Sequence, residues 1–288
     1  MEKQKSMKQE AEYRTDAEQK VRGMLCETIS LLMSDENERA LGAVCSAMRG
    51  CVDWLSPMRE YDQAALNVFD DACMMLECAV SSLGGTDAEK RASAQCAGLF
   101  GSLLERMEQI PDSDMSTNLK AALLYYVLYF DEEHQGIERC YALMQTAQEN
   151  GCFGLRPVMW CNVLMEMAAQ CAGEDPARAE GYLRRAYRAT YAPARLHGER
   201  LQQCRVRAML ADMLSGLCAR GKRPAAGLGW KLRAYAAYVP CGAAKVRMLA
   251  EKAAGDLLET LAGGMRPDVL AFAMTATVLF ALVRAVIR

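Results

Sequence analysis

The chain has 288 residues, 52% of them apolar and 24% charged, with a formal net charge of −2 at pH 7. So large an apolar share excludes a wholly disordered polymer. The 21 glycines and 8 prolines cluster between long stretches free of both, which is too little turn chemistry for a sheet protein of this size. The expected fold class is all-α, with antiparallel helix pairs joined by short loops.

Residues 1–20 are polar and balanced in sign, a tail or a frayed helix. From Val21 the apolar residues recur at helical spacing, first as Met24, Leu25, Thr28, Leu31 and Leu32, then as Leu41, Val44, Cys45, Met48 and Val52. Further helices are predicted at about 60–83, 86–110, 116–130, 132–150, 155–172, 175–192, 195–220, 222–239 and 241–262. Gly84 and Gly85 stop one helix and Thr86 is placed to cap the next. Pro111 ends another. Asp175 before Pro176 marks a strong start, because the carboxylate accepts from free N–H groups and proline loses nothing in a first turn. Gly221 with Pro224 marks an end and a new beginning. Residues 121–130, AALLYYVLYF, are apolar on every face and are predicted as a central helix buried all round, although their aromatics also suit strands.

The 13 cysteines are odd in number and contain no C-x-x-C pair, and there are 2 histidines. Zinc sites need paired ligands at short spacing, so no metal and no cofactor is expected. Cys73, Cys78, Cys161 and Cys204 stand where a helix takes small core residues, and buried free thiols in a reducing cytosol are expected. With a polar N-terminus, no signal peptide is expected.

Catalytic constellations are sparse. Asp131 and His134 have the three-residue spacing that places a carboxylate and an imidazole toward one metal in di-iron bundles, with Glu133 between them. The other histidine, His197, has Ala194 at the matching position, so the preferred reading is Asp131 capping a helix whose first turn holds Glu132 and Glu133. Asp70-Asp71 resembles the aspartate pairs that hold magnesium in prenyl-diphosphate enzymes. Met74 and Met75 follow where the completing carboxylate would stand, which leaves a solvated helix face as the expectation. Gly227 and Gly229 lack the third glycine of a dinucleotide loop. The chain is expected not to be an enzyme.

Charge is unevenly spread. Residues 1–155 hold 14 basic and 26 acidic side chains, and residues 156–288 hold 20 and 10. Within 178–247, 15 basic residues face only Glu180, Glu199 and Asp212. On the helix after Asp175 the apolar stripe is Ala179, Tyr182, Leu183 and Ala186, with Arg178, Arg185 and Arg188 opposite; Arg200 and Arg207 share a face of the next helix. These five arginines are the candidate partner-binding residues, for an acidic protein or peptide. Nucleic acid is the alternative partner, since Tyr187, Tyr191, Tyr235 and Tyr238 are interleaved. Neutralisation by the chain's own acidic half, within one molecule or between copies, is the structural alternative, and the oligomeric state is left open.

The later helices echo one another at 40–48 residues: Tyr182, Ala186-Tyr187 and Pro193 find counterparts in Trp230, Ala234-Tyr235 and Pro240. Together with Ala179, Leu183 and Ala186, which match a second repeat helix, this C-terminal half resembles the tetratricopeptide type of helical-repeat proteins. The first-helix signature departs from that pattern, with Val163, Glu166, Met167 and Gln170 at its positions. The resemblance implies an irregular α-solenoid that binds proteins.

After the break at residues 263–267, the segment from Val269 to Val283 has Thr275 and Thr277 as its only polar residues. Val269, Leu270, Phe272, Leu279, Phe280, Leu282 and Val283 are expected to form an apolar C-terminal helix over 268–288. It serves as a membrane tail anchor, or else as a last helix sealing the domain. The expected whole is a helical-repeat domain over 21–262, cytoplasmic and attached to the cytoplasmic face of a membrane. It acts as a non-enzymatic interaction scaffold; the alternatives are a soluble nucleic-acid or anionic-surface binder, and a helical enzyme using Asp131, Glu133 and His134.

Overall fold

The structure, a computed structural model, describes residues 2–130, 136–193 and 197–238. Ten α-helices and no strand occur among them: α1 Glu2–Met33, α2 Asn37–Leu55, α3 Gln63–Ser81, α4 Thr86–Glu108, α5 Asp114–Phe130, α6 Ile137–Glu149, α7 Pro157–Cys171, α8 Pro176–Ala189, α9 His197–Arg220 and α10 Pro224–Tyr238. The helical periodicities therefore held, including residues 121–130, which complete α5. The C-terminal apolar segment and the DEEH stretch at 131–134 lie outside the described residues, as does the helix predicted over 241–262.

Local rules set most boundaries. Asp175 accepts from the Arg178 amide at 3.0 Å with Pro176 in the first turn of α8, as read from the sequence. Gly221 N–H donates to Leu217 O at 2.9 Å as α9 ends, and α10 starts at Pro224. At the Gly84-Gly85 break, Gly84 takes φ +60, a left-handed value that an L side chain resists. The N-cap position of α4 is Gly85, with no side-chain cap, so Thr86 opens the helix instead of capping it. Likewise α6 begins at Ile137 behind Gly136 at φ 104, five residues later than predicted; Asp131, expected to cap it, lies outside the described residues. At the other end of the chain, α1 runs through the polar residues expected as a tail or a frayed helix, so the helical alternative is the one found.

The chain divides into two compact units, Met1–Arg156 and Pro157–Arg288. The division falls where the charge balance of the sequence changes sign. In the first unit α1 packs on α2, α2 on α3, α4 on α5 and α5 on α6, and α1 also reaches α3 while α2 reaches α4. Neighbour and next-neighbour packing of this kind is what stacked hairpins produce, because a lone hairpin leaves an apolar face wet. In the second unit α7 packs on α8, α8 on α9, α9 on α10, and α7 on α9.

The predicted stripes are core. Leu41, Val44, Cys45, Met48 and Val52 are all buried, as are Ala179, Leu183 and Ala186 of α8. Helix α5 is buried from Met115 to Tyr126, polar residues included, and is exposed at its first residue, Asp114, and near its end at Tyr129. Phe100 of α4 stacks on Tyr126 with ring centroids 4.9 Å apart and on Phe130 at 6.0 Å. Such ring pairs add about 0.5–1.5 kcal/mol to their area burial. Buried Lys120 closes the α4–α5 loop, donating to Ile110 O at 2.9 Å and pairing with Asp112 at 2.6 Å.

Among the described residues nine cysteines are buried, Cys73, Cys161 and Cys204 included; Cys78, expected in the core, is exposed with Cys26. Burial pushes the thiols of Cys51, Cys140 and Cys161 up to about 12. Since the thiolate is the reactive form, the native protein is expected to label rapidly at Cys26 and Cys78. The nine buried thiols should react only on unfolding, and peptide mapping of the labelled protein reads the difference.

Candidate functional site

Two arrangements of polar side chains stand out, one in each unit. In the first unit the loop after α6 is fastened residue by residue. Gly151 adopts φ 69, and Cys152 N–H donates to Ala147 O at 2.9 Å. The side chain of Asn118, buried on α5, then donates to Cys152 O at 2.8 Å and accepts from Gly154 N–H at 3.0 Å. Gln63 of α3 donates to Gly154 O at 3.0 Å. A side chain at 154 would put its Cβ 2.6 Å from Leu66 Cδ1 and 2.9 Å from the Tyr61 ring, so the loop lies flat on α3 because residue 154 is glycine.

This loop delivers Arg156 into the interior. Its guanidinium is 4% exposed and meets three groups: Asp70 Oδ1 lies 2.7 Å from Nε, Glu77 Oε1 lies 2.8 Å from Nη2, and Nη2 also donates to the Tyr126 hydroxyl. Tyr126 in turn donates to Glu77 Oε1 at 2.7 Å. Asp70 and Glu77 stand two turns apart on α3, hence on one face, and Tyr126 comes from α5. Burial works against the charge on Arg156, but Tyr126, Asp70 and Glu77 outweigh it and hold the guanidinium more firmly protonated than usual. Burial also pushes the Tyr126 hydroxyl and the neighbouring Cys73 thiol well above their ordinary ranges. The cluster therefore offers no ready nucleophile, and its chemistry is that of a tie between α3, α5 and the end of the unit.

Asp70 thus does not lie on the solvated face expected of it. A hint was present in the sequence. Asp70 is flanked by Val68, Phe69, Ala72 and Cys73, and Arg156 stands alone in the otherwise apolar run CFGLRPVMW. What the sequence withheld was that these two charges, 86 positions apart, meet. Asp71, its neighbour, is half-buried. Among the described residues no group of three or more His, Cys, Asp or Glu side chains is placed to hold a metal ion. The residues of the alternative enzyme reading, Asp131, Glu133 and His134, lie outside the described residues.

The second unit carries the arginines. Arg178 and Arg188 on α8 and Arg200 on α9 are exposed. Arg178 donates to the Tyr182 hydroxyl at 3.2 Å and 3.1 Å. Arg185 is half-buried, its guanidinium 4.9 Å from the Trp160 ring of α7. Arg207 is half-buried as well, donating to Thr190 Oγ1 at 2.9 Å and Thr190 O at 2.5 Å. It thereby satisfies the carboxyl end of α8 and covers the Tyr191 ring at 3.8 Å. The five candidates accordingly divide: Arg178, Arg188 and Arg200 reach solvent, Arg178 while lying 5.6 Å from the Tyr182 ring centre, and Arg185 and Arg207 are half-buried against rings. Sequence reasoning passed over Arg184, Arg223 and Arg233. Arg184 and Arg223 hold Glu180 between them, each at 2.6 Å, and the Arg223 bond foremost keeps that carboxyl below the usual carboxylate range. Arg233 stands over Trp230 at 4.5 Å.

Comparison of the chain with protein-family models, with curated proteins and with solved structures finds no match. The all-helical stack is consistent with a helical-repeat fold, and nothing ties it to the tetratricopeptide type in particular.

The Arg156 cluster makes a stability prediction. Arg156→Ala leaves the buried Asp70 carboxylate and the half-buried Glu77 without their cation and is expected to cost about 3 kcal/mol in urea unfolding. Arg156→Met combined with Asp70→Asn and Glu77→Gln, which buries no charge, should recover most of that loss. A cost below about 1 kcal/mol for the single change would show that the cluster is not a tie.

Proposed function

We propose that this chain is a non-enzymatic interaction scaffold of helical-repeat type whose second unit docks an acidic protein or peptide. The observation that carries the reading is the exposure of Arg178, Arg188 and Arg200 on α8 and α9, in a stretch where basic residues far outnumber acidic ones. A surface of one sign raises the local concentration of an oppositely charged partner and speeds its encounter. Stacked hairpins supply what a docking surface needs, a rigid array of helices whose outward residues are free of core duties.

The test uses poly-glutamate as probe. Binding by the full chain should weaken steeply with salt. The double change Arg188→Glu and Arg200→Glu should reduce it by about tenfold or more while leaving the melting temperature nearly unchanged, because exposed single changes shift stability by only about 0.5 kcal/mol. Undiminished binding by the double variant sinks the reading.

The proposal includes a membrane tether, the apolar run Val269–Val283. No helix among the described residues is long and apolar enough to cross a membrane. The support for the tether is the sequence itself: fifteen residues with two threonines, followed by Arg284 and Arg288, which can reach headgroups. Full-length protein is expected to stay with membranes through alkaline carbonate, and a chain ending at Gly263 to be soluble and equally heat-stable. Aggregation or unfolding of the shortened chain would assign the segment to the protein's own core.

A further inference from the structure

Between α8 and α10 three aromatic rings form a strip. Tyr187 and Tyr191 lie one turn apart on and just beyond α8, their rings 5.7 Å apart and their hydroxyls 3.2 Å apart. Trp230 of α10 meets Tyr187 edge to face at 5.1 Å. Guanidiniums wall the strip. Arg233 stands 4.5 Å from the Trp230 ring centre, Arg184 stands 6.0 Å from it, and Arg207 lies 3.8 Å from that of Tyr191. Tyr191 is 61% exposed, and Tyr187 and Trp230 are half-buried. A strip of rings that is open at Tyr191 and partly open at Tyr187 and Trp230, inside a strongly positive field, is the combination found at interface hot spots, where Trp, Tyr and Arg predominate.

The geometry also selects among anionic ligands. Successive bases of a single strand need a run of open, parallel ring faces. Here the rings cross at 80° and 67°, and a face of Trp230 and of Tyr191 already carries a guanidinium. A plain polyanion would use the arginines and leave the rings wet. The ligand that satisfies both is one whose carboxylates reach the guanidiniums while an apolar side chain between them covers the rings.

Resting on the acidic-partner reading above, we infer that the α8–α10 seam recognises an acidic peptide segment in which aspartate or glutamate residues flank a leucine or phenylalanine. Charge complementarity holds the segment in the field, and the apolar residue fixes its position on the Tyr187–Trp230 edge.

The full-length protein reports on this directly. Of its three tryptophans, Trp54 and Trp160 are buried and Trp230 is half-buried, so the acrylamide-quenchable part of the emission belongs mainly to Trp230. The probes are a short Asp/Glu peptide with a central Leu-Phe pair, the same peptide with Ser-Ser in its place, and oligodeoxythymidine. Affinities are read by titration calorimetry and quenching protection in parallel. The Leu-Phe peptide is expected to bind at least about tenfold more tightly than the Ser-Ser peptide and to shield Trp230 from acrylamide. Tyr191→Ser should erase most of that preference. Trp230→Phe, which keeps a ring in place, should retain binding and lose the optical signal, so a folding defect cannot pass for a binding result. Equal affinity for the two peptides overturns the inference and leaves the acidic-partner reading standing. Tighter binding of oligodeoxythymidine than of the Leu-Phe peptide overturns it in favour of nucleic acid. Failure of every probe to bind overturns both.

Discussion

A guanidinium cannot be taken out of water alone, and the first unit is arranged around that constraint. Arg156 stands 4% exposed at the end of the unit, between Asp70 and Glu77 of α3 and the Tyr126 hydroxyl of α5. Removing a charge from water costs several kcal/mol, which its partners offset only when they stand close by. The requirement runs outward from there. Arg156 reaches the cluster because residues 152–154 are fastened to Asn118 and Gln63, and they lie close enough because residue 154 has no side chain. Tyr126 is held in turn by the Phe100 ring at 4.9 Å. A buried polar network also specifies: any packing that moved α3 along α5 by one turn would leave Asp70 or Glu77 without its cation.

The second unit uses its cations differently. Few are sealed in. Most lie along aromatic rings or pair at the surface, where a salt bridge contributes only about 0–1 kcal/mol. Arg207 is the exception, since it satisfies the end of α8 at Thr190 while covering Tyr191. A single residue type thus ties elements together in both units. In the first unit the tie is deep and costly to break, and in the second it is shallow and leaves positive charge facing outward. A surface that keeps outward-facing charge near a partly open strip of rings is suited to association, whereas a buried cluster with its thiol and phenol held protonated is suited to stability.

Much of the architecture was legible. Helix existence followed from periodicity at nearly every position, because burying one face of a helix imposes the same spacing wherever it occurs. The Asp175-Pro176 start was legible because capping is settled within four residues. Failures came where the deciding partner was remote or the local rule had two solutions. Gly85 and Thr86 both fit a cap, and the backbone used the glycine. Cys78 fits a core position by size, yet it faces outward beside Glu77 on α3. The candidate arginines were found by their charge. Their separation into exposed and ring-packed members followed from Trp160, Tyr191 and Thr190, which come from other elements or other turns.

By itself the sequence determined that the described residues are all-helical and packed as neighbouring hairpins, which segments form them, and a change of charge sign near residue 156, where the structure parts into two units. All of these depend on composition and on residues within a few turns of one another. Only the tertiary structure decided that Asp70 and Arg156 share one buried cluster, and that Tyr187 and Trp230 form one edge. Each of those meetings joins residues more than forty positions apart in sequence. Periodicity says which face of a helix is buried, but only the packing of helix against helix says what that face meets.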